Sequence, residues 1–237
     1  MGVEAAAVSH VGKVRAVNED ACLSRPQQGL WAVADGMGGH ARGDLASQAL
    51  ISALSTLQPN RDLDASCAAV ADLIQFANDG LRQGATESGA SRQPGSTIVT
   101  LLLHATEAVV LWAGDSRAYR LRDACFEQLT RDHSYVQSLI DEGLLSPEEA
   151  EQHPMASVIT RAVGIDPTLK LDRHSCSALP GDYFLLCSDG LTRCCSDREL
   201  AQALSSHSVE AAVQALLDLT LERGAPDNVT IVLVRIL

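Results

Sequence analysis

Four acidic positions stand out because each borders an apolar run and sits beside glycine or a small polar residue. Asp35-Gly36 closes Leu30-Trp31-Ala32-Val33-Ala34, and Gly114-Asp115-Ser116 follows Val109-Val110-Leu111-Trp112-Ala113. Ser188-Asp189-Gly190 follows Tyr183-Phe184-Leu185-Leu186-Cys187, and Asp227-Asn228 precedes the run from Val229 to Leu237. Each pair alone is ordinary turn chemistry, since Asp beside Gly or Asn favours turns. A further acidic pair, Glu19-Asp20, lies shortly after Arg15. Gathered in one place, so many carboxylates would repel one another unless a divalent cation held them. Oxygen-only ligation selects hard ions, Mg²⁺ or Mn²⁺, over zinc. Such an ion would let an acidic chain act on phosphate by supplying the missing positive charge.

The elements that must position these residues are legible in the periodicity. The apolar runs are short, as expected for strands buried on both faces, and Thr97 to Leu103 and Ala118 to Arg122 add two more. Helical spacing is clearest from Leu45 to Leu57, where Ala46, Ala49, Leu50, Ala53, Leu54 and Leu57 share a face. A second helix is predicted from Leu63 to Leu81, and a third from the Ser208 cap to Gly224. Ser146-Pro147-Glu148-Glu149 is a capping box with proline at the first helical position, and Gly143 ends a preceding helix over Tyr135 to Glu142. Strands interspersed with helix pairs predict layered α/β packing in one domain over 1–237, with the strand order left open.

Composition removes several function classes. Of 237 residues 46% are hydrophobic, enough for a core, but only 3% are aromatic, so Ala, Val, Leu and Ile must build it. Eighteen basic against thirty acidic residues give a net charge of −12, which argues against a nucleic-acid partner and a polybasic membrane anchor. A two-ion nuclease is disfavoured for the same reason. Glu4 and the short apolar runs do not make a signal peptide, and Ala6 spoils the myristoylation pattern after Gly2. Seven cysteines without a C-x-x-C pair read as reduced thiols, mostly core filler, in a cytoplasmic protein.

Taken in order, the motifs spell out a family. Arg15-Ala16-Val17-Asn18-Glu19-Asp20, Ala34-Asp35-Gly36-Met37-Gly38-Gly39-His40, Gly95-Ser96-Thr97, Gly114-Asp115-Ser116-Arg117, Ser188-Asp189-Gly190-Leu191 and Asp227-Asn228-Val229-Thr230 form the set. It resembles the PPM (PP2C-type) metal-dependent serine/threonine protein phosphatases in their compact bacterial form. The resemblance is collinear from about residue 9 to 237, and the ordered set is far more specific than any one motif. Leu129 to Ser134, His153-Pro154 and Ile159-Thr160-Arg161 also resemble the flap subdomain of bacterial members, at about 130–164. The implied fold is α+β, a four-layer α/β/β/α sandwich. Its two central, mostly antiparallel β-sheets are flanked by helix pairs, with the metals at one end.

The resemblance also implies roles. Asp35 would bridge two Mn²⁺ or Mg²⁺ ions, the Gly36 carbonyl would ligate one, and Asp189 and Asp227 would complete the other's shell. Glu19 and Asp20 would act mostly through metal-bound waters, and Asp115 would help hold a third, weaker ion. Hydrolysis would proceed by in-line attack of a metal-bridging hydroxide, with Arg15 clamping the phosphate through its planar fork. Met37 stands where many eukaryotic relatives carry a proton-donating His; His40, three residues on, could serve as a proton donor, orient a water or cap the following helix, and His133 and His153 read as structural or flap residues. The implied substrates are phosphoproteins, opposite a cognate eukaryotic-like Ser/Thr kinase, with no nucleic-acid or membrane partner. A non-catalytic phosphoprotein-binding module is the competing reading, but it gives no reason to keep clustered carboxylates.

Overall fold

Side chains alternate along the central strands, and that alternation builds the layers. In the computed structural model, which describes residues 2–38, 43–58, 62–88 and 93–237, β3 (Leu30–Met37) turns Leu30, Ala32 and Ala34 to one side. Its Trp31 and Val33 face the other way. One sheet runs β2 (Asp20–Arg25), β3, β5 (Ile98–His104), β6 (Glu107–Ala113), β9 (Asp172–Ser177), with the two-residue β4 (Gly95–Ser96) paired to the end of β3. The other runs β1 (Val3–His10), β11 (Val229–Ile236), β10 (Tyr183–Cys187), β7 (Arg117–Arg122), β8 (Cys125–Gln128). Each strand pair described is antiparallel.

Between the sheets, Trp31, Val33, Leu101 and Trp112 meet Phe184, Leu186, Val232 and Val234. Outside one sheet, Leu50 and Leu54 of α1 (Gly43–Ser55) and Val70 and Ile74 of α2 (Leu63–Ser88) cover Leu30, Ala32 and Ala34. Outside the other, Leu200 and Leu204 of α6 (Asp197–Ser206) and Val213 and Leu216 of α7 (Val209–Glu222) cover Leu185, Ile231 and Leu233. This is the four-layer sandwich that the resemblance implies. At about 25 cal/mol per Å² of apolar area, three such interfaces are the main stabilising term.

The structure differs from the sequence reading in several elements. α2 runs seven residues beyond Leu81, to Ser88. β1 is alanine-rich and β9 alternates polar residues, so neither shows the apolar run that marks the central strands. α6 was not expected, although its Ser196–Glu199 capping box was there to find. Cys67, Cys187 and Cys195 are buried as core filler, but Cys125 is exposed on β8.

The segment over 130–164 carries two short helices, α3 (Tyr135–Asp141) and α4 (Pro147–Glu151). Ser134 caps α3 by accepting from the Gln137 amide at 3.2 Å, and Gly143 ends it at φ +70°. The Ser146–Glu149 box is formed reciprocally, at 2.8 and 3.3 Å. Among the described residues no helix is long and apolar enough to cross a membrane.

Candidate metal centre

Strand pairing brings the first two carboxylates together: the β2–β3 register sets Asp20 directly opposite Asp35. Like charges across a ladder are destabilising, so this pairing needs compensation. Asp35 lies inside β3 rather than beyond its end, because β3 continues to pair with β4 through Gly36 and Met37. Its backbone is pinned. Thr97 Oγ1 accepts from the Asp35 amide at 3.0 Å, while the Thr97 amide and Ser96 Oγ donate to its carbonyl at 2.8 and 3.0 Å. A Cβ on Gly36 would strike the Gly43 and Glu19 carbonyls, so only glycine lets α1 approach β3 here.

Asp189 begins α5 (Asp189–Thr192), immediately after β10. The preceding Ser188 donates to Asp20 Oδ2 at 2.7 Å and accepts from the Thr230 amide at 3.0 Å, tying β10, β2 and β11 together. Asp115 occupies the turn from β6 to β7, and Asp227 sits just before β11. Thus Asp20, Asp35, Asp115, Asp189 and Asp227, drawn from five places in the chain, feel one another's charge.

The electrostatics are those of carboxylates crowded together in a buried place. Burial first, then neighbouring carboxylates, pushes Asp20 up to about 6, although Ser188 and Thr230 hydrogen bonds oppose the shift. Asp115 rises to about 7 for the same leading reason, with Asp189 next. Asp35 is driven well above the ordinary carboxylate range by loss of solvent and then by Asp20, Asp189, Asp115 and Asp227. Asp189 is also raised, chiefly by burial, though Arg193 at 2.5 Å and a hydrogen bond with Asp35 counter it. Three buried oxygens, Oδ1 of Asp20, Asp115 and Asp189, have no hydrogen-bond partner among the described residues. Buried polar atoms rarely go unsatisfied, and an all-oxygen set with orphaned lone pairs fits a hard divalent cation.

Among the described residues, no three acidic, His or Cys side chains are already closed into a ligand cage. Several instead lean on groups of the chain itself. Asp227 pairs with Arg15 at 2.9 Å and accepts from the Asn228 amide at 2.9 Å. Glu19 Oε1 caps α1 by accepting from the Gly43 amide at 2.9 Å, a role the sequence did not suggest. Asn228 is the other residue that sequence reasoning passed over. It accepts from the Glu19 amide at 2.8 Å and donates to the Val11 and Val17 carbonyls at 2.9 and 3.0 Å, clamping the Arg15 loop to β11. Its place in the Asp-Asn motif was the available signal. His40, the candidate proton donor, lies outside the described residues.

Residues 9–237 match the family model described as protein phosphatase 2C. The chain belongs to the protein phosphatase 2C family. PP2C relatives include the serine/threonine protein phosphatase PstP of Mycobacterium tuberculosis, 40% identical over 233 residues, 96% of this chain and 44% of PstP. The chain therefore spans under half the length of that curated relative. A solved structure, PppA of Pseudomonas aeruginosa, described as a key regulatory component of T6SS, superposes with a TM-score of 0.91 at 46% identity. That match covers 98% of this chain and 97% of PppA. The PstP catalytic domain solved with two manganese ions gives a TM-score of 0.87 at 37% identity, over 98% and 97%.

In this PP2C chain Arg15 is half exposed and bonded to Asp227, at the rim of the carboxylate group rather than inside it. From there its fork faces solvent. Arg15→Ala is expected to lower kcat/KM on a phosphopeptide by roughly 30-fold, the equivalent of about 2 kcal/mol for a charge-assisted pair. Arg15→Lys should restore little, because a point charge cannot replace a fork. Steady-state kinetics check both; full rescue by Lys would show that charge alone matters.

Proposed function

We propose that this chain hydrolyses phosphoserine and phosphothreonine monoesters on proteins, in a Mn²⁺- or Mg²⁺-dependent reaction that reverses a cognate Ser/Thr kinase. The observation that carries this reading is the convergence of five aspartates with three orphaned buried oxygens at one end of the sandwich. The chain's kinship with PstP, whose catalytic domain holds two manganese ions, supports it. Asp35, the Gly36 carbonyl, Asp189 and Asp227 would hold the tight pair of ions, and Asp115 with Asp189 a third, weaker one. Asp20 and Glu19 would act through water.

When bound, the ions supply Lewis acidity toward water and toward the phosphoryl oxygens. The chain's own groups do the rest. Thr97 and Ser96 fix the Asp35 backbone, so the carboxylate cannot drift from its place opposite Asp20. Ser188 holds Asp20, and Arg15 orients the phosphate. A cleft of about 950 Å³ leads away from Asp115 and Asp189, between the flap and the residues around Arg193 to Glu199, and offers room for a polypeptide flanking the phosphate. Kinship with PppA favours a regulatory role for the dephosphorylation, and seven unpaired thiols suit a cytoplasmic place of action.

Release of phosphate from a phosphothreonine peptide in Mn²⁺, abolished by chelation, tests the reading. Tight peptide binding without turnover would favour a binding module instead. Within the same reading, Asp115→Asn should spare the tight pair of ions but lower turnover about tenfold or more, most on substrates with poor leaving groups. Calorimetric Mn²⁺ titration beside rates on p-nitrophenyl phosphate and the peptide checks this. Unchanged kcat and metal dependence would leave Asp115 a turn residue.

A further inference from the structure

Asp115 follows Gly114, which takes φ +113° and packs so closely on Thr97 that a Cβ would strike its side chain. Gly114 therefore has no side chain to anchor the turn, and both its backbone groups go to one residue at the root of the flap. The Gly114 amide donates to His133 Nδ1 at 3.1 Å, and the His133 amide donates to the Gly114 carbonyl at 2.9 Å. The imidazole lies parallel to the Trp112 indole, with centroids 6.1 Å apart. Because Nδ1 accepts, the neutral ring carries its proton on Nε2. That nitrogen faces Asp172 Oδ2 at 3.3 Å. Arg161 Nη1, 2.9 Å from the same nitrogen, has its own acceptor in Asp172 Oδ1 at 2.7 Å.

The other root of the flap is tied in the same way. The Thr160 amide donates to the His133 carbonyl at 2.8 Å, and Ser96 and Val163 exchange backbone hydrogen bonds at 3.1 and 2.8 Å. Ser96 in turn holds the Asp35 carbonyl. We propose that His133 is a positioning residue for Asp115: its Nδ1 fixes the Gly114 amide and thereby aims the Asp115 carboxylate at the weakly held ion. This rests on Asp115 serving that ion in the hydrolysis proposed above. Groups that orient a ligand from behind commonly matter nearly as much as the ligand.

The two ring nitrogens can be tested separately. An Asn side chain places its amide oxygen near the Nδ1 position, whereas Gln reaches the Nε2 position. The full chain is compared as wild type, His133→Asn and His133→Gln. Readouts are kcat on a phosphothreonine peptide across Mn²⁺ concentrations, calorimetric Mn²⁺ titration and thermal melting. The expected result is that His133→Gln loses roughly tenfold or more in both kcat and the weak Mn²⁺ step, while His133→Asn stays within about threefold. The proposal is overturned if the two variants behave alike, if Asn is the weaker, or if losses simply track the melting temperature. A wild type without turnover would sink the hydrolysis reading, yet the calorimetric comparison would still judge His133.

Discussion

Asp35→Asn is expected to abolish phosphate release, by roughly three orders of magnitude or more, while the chain stays folded. Removing the charge of Asp35, proposed above to help hold both ions, would take away several kcal/mol of transition-state stabilisation, and each 1.4 kcal/mol is about tenfold. The same substitution should raise the melting temperature in chelator at pH 8. It replaces a buried carboxyl group, whose ionised form is disfavoured by burial and by Asp20 opposite it across the β2–β3 ladder, with a neutral amide. A residue whose removal costs activity yet, in chelator, gains stability is hard to explain as a turn residue. Circular dichroism melts with and without EDTA, beside activity at saturating Mn²⁺, provide the check. Turnover near the wild-type rate would remove Asp35 from the centre.

Chelated protein should lose stability as pH rises from 5 to 8. Asp20 and Asp115 titrate at about 6 and about 7 in the folded chain, against about 3.9 for an unperturbed Asp, and Asp35 and Asp189 are shifted the same way. Between these values the folded state binds more protons than the unfolded one. Stability is then full below the unfolded pKa and falls as pH climbs through the folded values. His133, lowered mainly by burial, works weakly in the opposite sense below about 6.5. The net loss should be on the order of several kcal/mol, or roughly 10 °C in Tm. Saturating Mn²⁺ should flatten the dependence, because the ion binds only the folded, ionised site. A Tm that is flat, or that rises with pH in EDTA, would mean the carboxylates are not gathered as described.

The sandwich and its carboxylates were legible because they rest on strong local signals. Runs such as Val109 to Ala113 mark strands buried on both faces, and Asp beside Gly or a small polar residue marks where they end, except at Asp35, where pairing with β4 carries β3 on to Met37. What stayed hidden was set by tertiary partners. β1 pairs along its whole length with β11 despite its alanines, and its stability comes from that ladder rather than from propensity. No local pattern says that Glu19 will cap α1 or that Asn228 will clamp the Arg15 loop, since their partners lie 24 and 209 or more residues away. His133 reads in the sequence only as a structural or flap residue for the same reason. Its Nδ1 faces Gly114 only because the segment over 130–164 folds back onto the end of β6.

The most direct test is an anomalous difference map from crystals grown in Mn²⁺. Two strong peaks are expected on either side of the Asp35 carboxylate, one against the Gly36 carbonyl and the other reaching Asp189 and Asp227, with a weaker peak beside Asp115. No peak among these residues at saturating Mn²⁺, or a single ion bound elsewhere, would contradict the assignment of this carboxylate group as the metal centre.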